Sequence, residues 1–167
     1  MTRPPDIVLY RPEIPPNTGN AMRLAANTGA RLHLIEPLGF ELSDSRLRRA
    51  GMDYRDRATV HVHPDLGTWL RETSPHRVWA ISKQGTIRYC DVAYRPGDAL
   101  LFGPESVGLP DDILEASWVE AVVTIPMVPD VRSLNLSNAV AIVLYEAWRS
   151  LGFPGADDGD PDTTGRP

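Results

Sequence analysis

Short apolar runs recur along this chain, and most are followed by a loop rich in proline or glycine and then by a helix-forming stretch. That alternation is the feature that most narrows the fold. A strand that returns through a helical crossover joins a parallel sheet, with helices packed on its faces. The runs read as strands at residues 6–10, 31–35, 58–62, 77–82, 99–102 and 121–125. A helix is predicted from Thr18 to about Thr28, with Asn17 as its cap and Gly29 past its end. Three prolines between Arg11 and Pro16 argue against helix before it. Further helices are expected at 43–50, stopped by Gly51, and at 64–73, with Leu66, Trp69 and Leu70 on one face. Another spans 110–116, with proline at its first position, and a last one follows the loop 126–132 and ends near Leu151. The expected architecture is α/β, a mostly parallel sheet with helices on both faces. The 167 residues suit one domain, here 1–155, and the Asp/Gly/Pro-rich stretch 156–167 reads as a disordered acidic tail.

Several chemistries are excluded by what is missing. One cysteine, Cys90, makes no disulfide within the chain and supports no zinc cluster, and without a neighbouring His it reads as an inert thiol. No GxGxxG, GxxxxGK[ST] or GxSxG occurs, which argues against a standard dinucleotide site, a P-loop and a hydrolase elbow. His61-Val-His63 reads as two half-exposed histidines at a strand end rather than as metal ligands. No metal, no membrane segment and no secretory leader are expected, and the default compartment is the cytoplasm.

In a parallel sheet ligands bind beyond the carboxyl ends of strands, so the loops after Tyr10, Ser82, Phe102 and Ile125 come under inspection. Asn17-Thr-Gly-Asn-Ala-Met-Arg23 opens a helix, where backbone amides attract anions. Arg23 lies six residues past Asn17, about 600° round the helix, so the two share a face only loosely. Leu101-Phe-Gly-Pro-Glu-Ser-Val-Gly-Leu-Pro110 runs from an apolar strand into a Gly/Pro-dense loop. Gly103 permits close approach by a flat ligand, Gly108 permits a left-handed turn, and Glu105 needs a partner if buried. Ser133, Asn135, Ser137 and Asn138 crowd the start of the last helix, more polar groups than one cap requires. That helix continues as a wholly apolar run, 139–144, which implies burial on more than one side and leaves room for a second subunit.

Asn17-x-Gly-x-x-x-Arg23, Phe102-Gly-Pro-Glu-x-x-Gly-Leu-Pro110 and Ile125-Pro-Met…Ser133-Leu-Asn-Leu-Ser-Asn-Ala-Val140 resemble, in order, the three motifs of the SPOUT methyltransferases. Asp6-Ile-Val-Leu-Tyr-x-Pro-Glu-Ile-Pro-Pro-Asn-Thr-Gly-Asn20, Leu32-His-Leu-Ile-Glu-Pro-Leu-Gly-Phe40 and Arg46-Leu-Arg-Arg-Ala-Gly-x-Asp-Tyr54 narrow the resemblance to the TrmL (YibK-like) branch. Members of that branch are small 2′-O-methyltransferases of the tRNA wobble nucleotide. The resemblance implies a C-terminal trefoil knot, an otherwise very rare feature. It also implies S-adenosylmethionine as cofactor, held by backbone around Ile81, Gly103, Ile125 and Ser133. Arg23, Asn17, Glu105 and Asn135 are the implied catalytic set. Arg23 activates the ribose hydroxyl, as a base or by positioning it, and a guanidinium is a poor base. The others shape the substrate side. The implied partners are tRNA and a second copy of the chain, joined through the first and last helices. A SPOUT enzyme for another tRNA or rRNA position, and a non-catalytic binding module, stay open. Val107 and Ser82-Lys-Gln-Gly85 depart from the family's usual pattern.

The net charge of −5 argues against a nucleic-acid binder only while it is read as a whole. Residues 156–167 hold a net −3, and between Arg46 and Arg57 five arginines face two aspartates, a local +3. Such a cluster suits phosphates although the molecule is acidic.

Overall fold

In the computed structural model, the residues described are 3–43, 45 and 59–157. Strand β1 (Asp6–Tyr10) leads into helix α1 (Pro15–Thr28), and β2 (Arg31–Ile35) follows. After β3 (Thr59–His63) come α2 (Leu66–Thr73), β4 (Arg77–Ile81) and the two-residue β5 (Ile87–Arg88). A 3-10 turn at Tyr89–Asp91 precedes β6 (Asp98–Phe102), the one-turn α3 (Asp111–Leu114), β7 (Val119–Thr124) and α4 (Leu136–Ser150). The seven strands form one sheet in the order β3-β2-β1-β6-β4-β7-β5, every pair parallel.

Alternate residues of each strand face opposite layers. Ile7, Leu9, Leu32, Leu34, Leu100 and Phe102 pack under Ala21, Met22 and Ala25 of α1 and Val140, Val143, Leu144 and Ala147 of α4. Val8, Ile35, Val78, Ala80 and Leu101 pack against Trp69 of α2 and Ile113 and Leu114 of α3. The apolar runs are long because both faces of the sheet are covered.

Several boundaries move from the sequence reading. α1 begins at Pro15 and its cap residue is Ile14, not Asn17. Pro15 and Pro16 occupy the first helical positions, where an amide N–H has no partner within the helix and a fixed φ suits the turn. Gly29 ends the helix in the left-handed region, as read. α2 starts at Leu66, because the Asp65 carboxylate accepts the Thr68 N–H and caps it there. Pro110 caps α3 rather than opening it. β3 and β7 shift by one or two residues, and β5 is an addition, too short to show as a run. The expected helix at 43–50, the arginine cluster at 46–57 and the tail from 158 fall outside the described residues.

At the amino ends of the strands two buried aspartates hold neighbours together. The Asp98 carboxylate accepts from Arg77 Nε at 2.9 Å, Arg77 Nη2 at 2.7 Å, Trp79 Nε1 at 2.9 Å and the Arg95 amide at 2.9 Å. Asp6 accepts from Arg31 on the next strand. His63 corrects the reading of two half-exposed histidines: His61 is exposed, but His63 is buried. Its Nδ1 lies 3.0 Å from Glu72 on α2, and its Nε2 lies 3.0 Å from Nδ1 of the buried His33. Burial holds the His33 imidazole below its ordinary range, outweighing the opposite pull of Asp6. Burial alone would raise the Asp6 carboxyl, but His33 and Arg31 together hold it below its ordinary range.

Candidate active site

The carboxyl ends of β4, β6 and β7 open into a cleft of about 410 Å³, within the usual range for a small-molecule site. It lies beyond the carboxyl ends of the strands, the usual side for ligands in open parallel sheets. Ile81 and Phe102 come from strand ends, Ile125 directly follows β7, and Leu136 and Ala139 come from α4. Four loops complete the walls: the start of α1 (Ile14, Asn17), residues 82–84 after β4, the turn 103–109, and the segment 125–135. Seven of the eight candidate residues line this cleft, namely Asn17, Glu105, Asn135, Ile81, Gly103, Ile125 and Ser133. Arg23 does not. It sits on the exposed side of α1, about 9 Å further along the axis from Asn17.

Three of these loops, at the start of α1, at 103–109 and at 125–135, are joined by one chain of hydrogen bonds. Asn135 donates from Nδ2 to Asn17 Oδ1 at 2.9 Å, and Asn17 donates from its own Nδ2 to Glu105 Oε1 at 3.1 Å. Glu105 also accepts the Glu13 amide at 2.8 Å and the Ile14 amide at 3.1 Å. Ile14 has no side-chain cap of its own, and a carboxylate from a loop some 90 residues away binds the two amides just ahead of α1. A negative group there also suits the helix dipole. Asn135 Oδ1 caps α4 through the Ser137 amide at 2.9 Å and accepts the Ser137 hydroxyl at 2.7 Å. The polar crowding at the start of α4 therefore serves both a cap and a link between loops.

Two glycines shape the walls. Gly108 adopts φ +73°, the left-handed turn read from the sequence. Gly103, which lines the cleft, is also required by the turn itself. A Cβ there would lie 2.3 Å from the Leu109 nitrogen and 2.4 Å from the Gly108 carbonyl carbon, so the turn's own backbone occupies that space. Lys83 and Val107, two of the departures from the family pattern, both line the cleft and are exposed, Val107 to 81%. Glu13, whose amide and carboxylate both enter the junction, stands in the motif quoted at residues 6–20, but the sequence assigned it no role. No cluster of three or more His, Cys, Asp or Glu side chains able to hold a metal occurs among the described residues. No helix among them is long and apolar enough to cross a membrane.

A slot with an apolar floor and walls of irregular backbone suits a nucleoside-like ligand. Main-chain groups in such loops are not committed to a ladder or helix. Comparison with known proteins agrees. Residues 5–145 match the family described as the SpoU rRNA Methylase family. A tRNA (cytidine(34)-2′-O)-methyltransferase of Escherichia coli (strain K12) is 57% identical over 151 residues, covering 90% of this chain and 96% of the relative. A structure solved for a study of 2′-OH methylation of C/U34 on tRNA superposes with a TM-score of 0.83 at 44% identity. It covers 90% of this chain and 97% of the other. An AdoMet-bound rRNA methyltransferase from Sinorhizobium meliloti superposes at 0.79 with 26% identity, over 90% of this chain and 58% of its own.

Proposed function

Since the chain belongs to the SpoU rRNA methylase family, we infer that it transfers a methyl group from S-adenosylmethionine to the ribose 2′-hydroxyl of the tRNA wobble nucleotide. The observation that carries this reading is the convergence of three separated loops, through Asn17, Glu105 and Asn135, on one apolar cleft at the carboxyl end of the sheet. The chain is one catalytic unit with the size and span of the tRNA-modifying relatives.

S-adenosylmethionine, when bound, supplies an electrophilic methyl group on a sulfonium sulfur. The cleft fits it: about 410 Å³, with Ile81, Phe102 and Ile125 as an apolar floor that excludes water. Backbone around Gly103 and Ser133 would hold its polar edges. The Asn135–Asn17–Glu105 chain fixes the loops against one another, and so serves orientation rather than proton transfer. Arg23 holds the acceptor hydroxyl or the phosphate beside it, a task suited to a forked, permanently protonated donor. Its place outside the cleft agrees with contact to RNA rather than to the cofactor.

The active species in this reading is a homodimer joined through α1 and α4. These helices pack together within the chain, and Ile142 is half-buried and Tyr145 40% exposed on the side of α4 not spent on the sheet. A stable monomer at micromolar concentration in a size-exclusion mass measurement would contradict it. RNA then crosses both subunits, with the arginines between 46 and 57 meeting phosphates. The knot implied by the resemblance lies at the carboxyl end of the chain, and a tRNA substrate places the enzyme in the cytoplasm. The test is mass mapping of tRNA from a strain lacking the gene. Loss of a ribose methyl at the wobble nucleotide of leucine tRNAs is expected, and loss at another position, or in rRNA, would reassign the substrate.

A further inference from the structure

We propose that Glu13 is a positioning residue for methyl transfer, whose carboxylate locks the cleft's 103–108 turn to the start of α1. The proposal rests on the reading of the cleft as a methyltransferase site, and it concerns a residue outside the cleft lining.

The junction between the two segments is reciprocal. Glu105, in the turn, accepts the Glu13 and Ile14 amides with its carboxylate. Glu13, before the helix, accepts the Ser106 amide at 2.9 Å with Oε2 and the Ser106 hydroxyl at 2.8 Å with Oε1. Each carboxylate thus satisfies backbone donors of the other segment, across 93 residues of sequence. The Glu105 bonds all gather on one side chain, so by themselves they hold the turn at a single residue. The second carboxylate, bonding one residue further on, adds a second point of attachment. The Glu13 segment is itself immobilised on its far side. Gly39 donates its amide to the Pro12 carbonyl at 2.9 Å, and a Cβ on Gly39 would meet Glu13 Cα at 2.8 Å.

What the lock joins decides its consequence. The turn 103–108 is a wall of the cleft, and α1 carries Asn17 and, two turns on, Arg23. Their separation therefore sets how the methyl donor and the ribose acceptor meet. In-line transfer tolerates little error, and a misplacement of about 1 Å can cost roughly 100-fold in rate. The cofactor's own contacts lie within the cleft, so its affinity depends far less on Glu13.

The experiment compares Glu13→Ala and Glu13→Gln with the wild-type enzyme. It measures kcat on tRNA, the Kd for S-adenosylmethionine, the melting temperature, and hydrogen exchange at the Ser106 amide by NMR. In Glu13→Ala, kcat should fall roughly 10- to 100-fold while cofactor Kd stays within about threefold. The Ser106 amide should exchange faster. Glu13→Gln should recover most of the rate, because its amide oxygen accepts the Ser106 N–H and its amide nitrogen donates to Ser106 Oγ. A kcat within about threefold of wild type in Glu13→Ala would overturn the proposal, as would parallel loss of cofactor binding or of fold. Failure of glutamine to rescue would show that charge, not the bonds, matters, and would overturn it too. Unchanged Ser106 exchange would refute the lock whatever the activity. A wild-type protein that methylates no tRNA would refute the functional reading instead, and leave the exchange measurement to decide the lock.

Discussion

At both ends of the sheet carboxylates stitch neighbouring elements together, but they take different partners. At the amino end, Asp6 and Asp98 are buried and paired with Arg31 and Arg77 on adjacent strands. At the carboxyl end, Glu13 and Glu105 are bonded to backbone amides, a side-chain amide and a hydroxyl of separate loops. A buried ion pair resists the loss of either partner, because a lone charge in the interior is costly. An exposed network of amide donors holds shape with less energy at stake. The amino end is thus built for stability, and the carboxyl end for the relative placement of loops that share no continuous element.

The sharpest way to break this contrast is at Asp98. Asp98→Ala removes the carboxylate partner of the Arg77 guanidinium and strands the Trp79 N–H, and should cost about 3–5 kcal/mol in denaturant melts. Methyl transfer per folded molecule should stay near wild type. A large loss of turnover with unchanged stability would erase the division between the ends. Gly103→Ala should show the reverse weighting. Its Cβ collides with the Gly108–Leu109 backbone, so the turn must shift, at about 1–3 kcal/mol. Calorimetry should then show cofactor affinity reduced by roughly tenfold. The smallest effect is with pH. Burial holds the His33 imidazole below its ordinary range in the fold, while the unfolded chain takes up a proton near the ordinary value of 6.5. The unfolded state then binds more protons, so stability falls as pH drops below that value. Asp6 acts in a lower window. Its lowered pKa adds stability above the ordinary 3.8 that is lost as pH falls through the folded value. Melting curves between about pH 7.5 and 5.5 should show the first decline, and His33→Gln should flatten it.

The strands were legible because they are buried on both faces, which leaves unbroken apolar runs such as Asp6-Ile-Val-Leu-Tyr10. The start of α1 was misread because proline breaks a helix interior but suits its first turn, and sequence alone does not separate Pro15 and Pro16 from breakers. β5 escaped notice because two residues carry no period. Most of the cleft was visible in its motifs, and Asn17, Glu105 and Asn135 do share one hydrogen-bonded chain. The role of Glu13, though the residue stands in a quoted motif, was hidden for a physical reason: an exposed glutamate before a proline pair looks like solvent-facing charge until the fold brings Ser106 to it. His63 was misjudged likewise, since its partner Glu72 lies on the following helix.

The most direct test is mass mapping of a tRNA substrate incubated with S-adenosylmethionine and either the wild-type protein or Arg23→Ala. The wild type should place one methyl on the ribose of the wobble nucleotide. The variant should bind the cofactor normally and place none, a loss of at least roughly 100-fold. Near wild-type turnover in the variant, or a methyl group at any other nucleotide, would contradict the assignment.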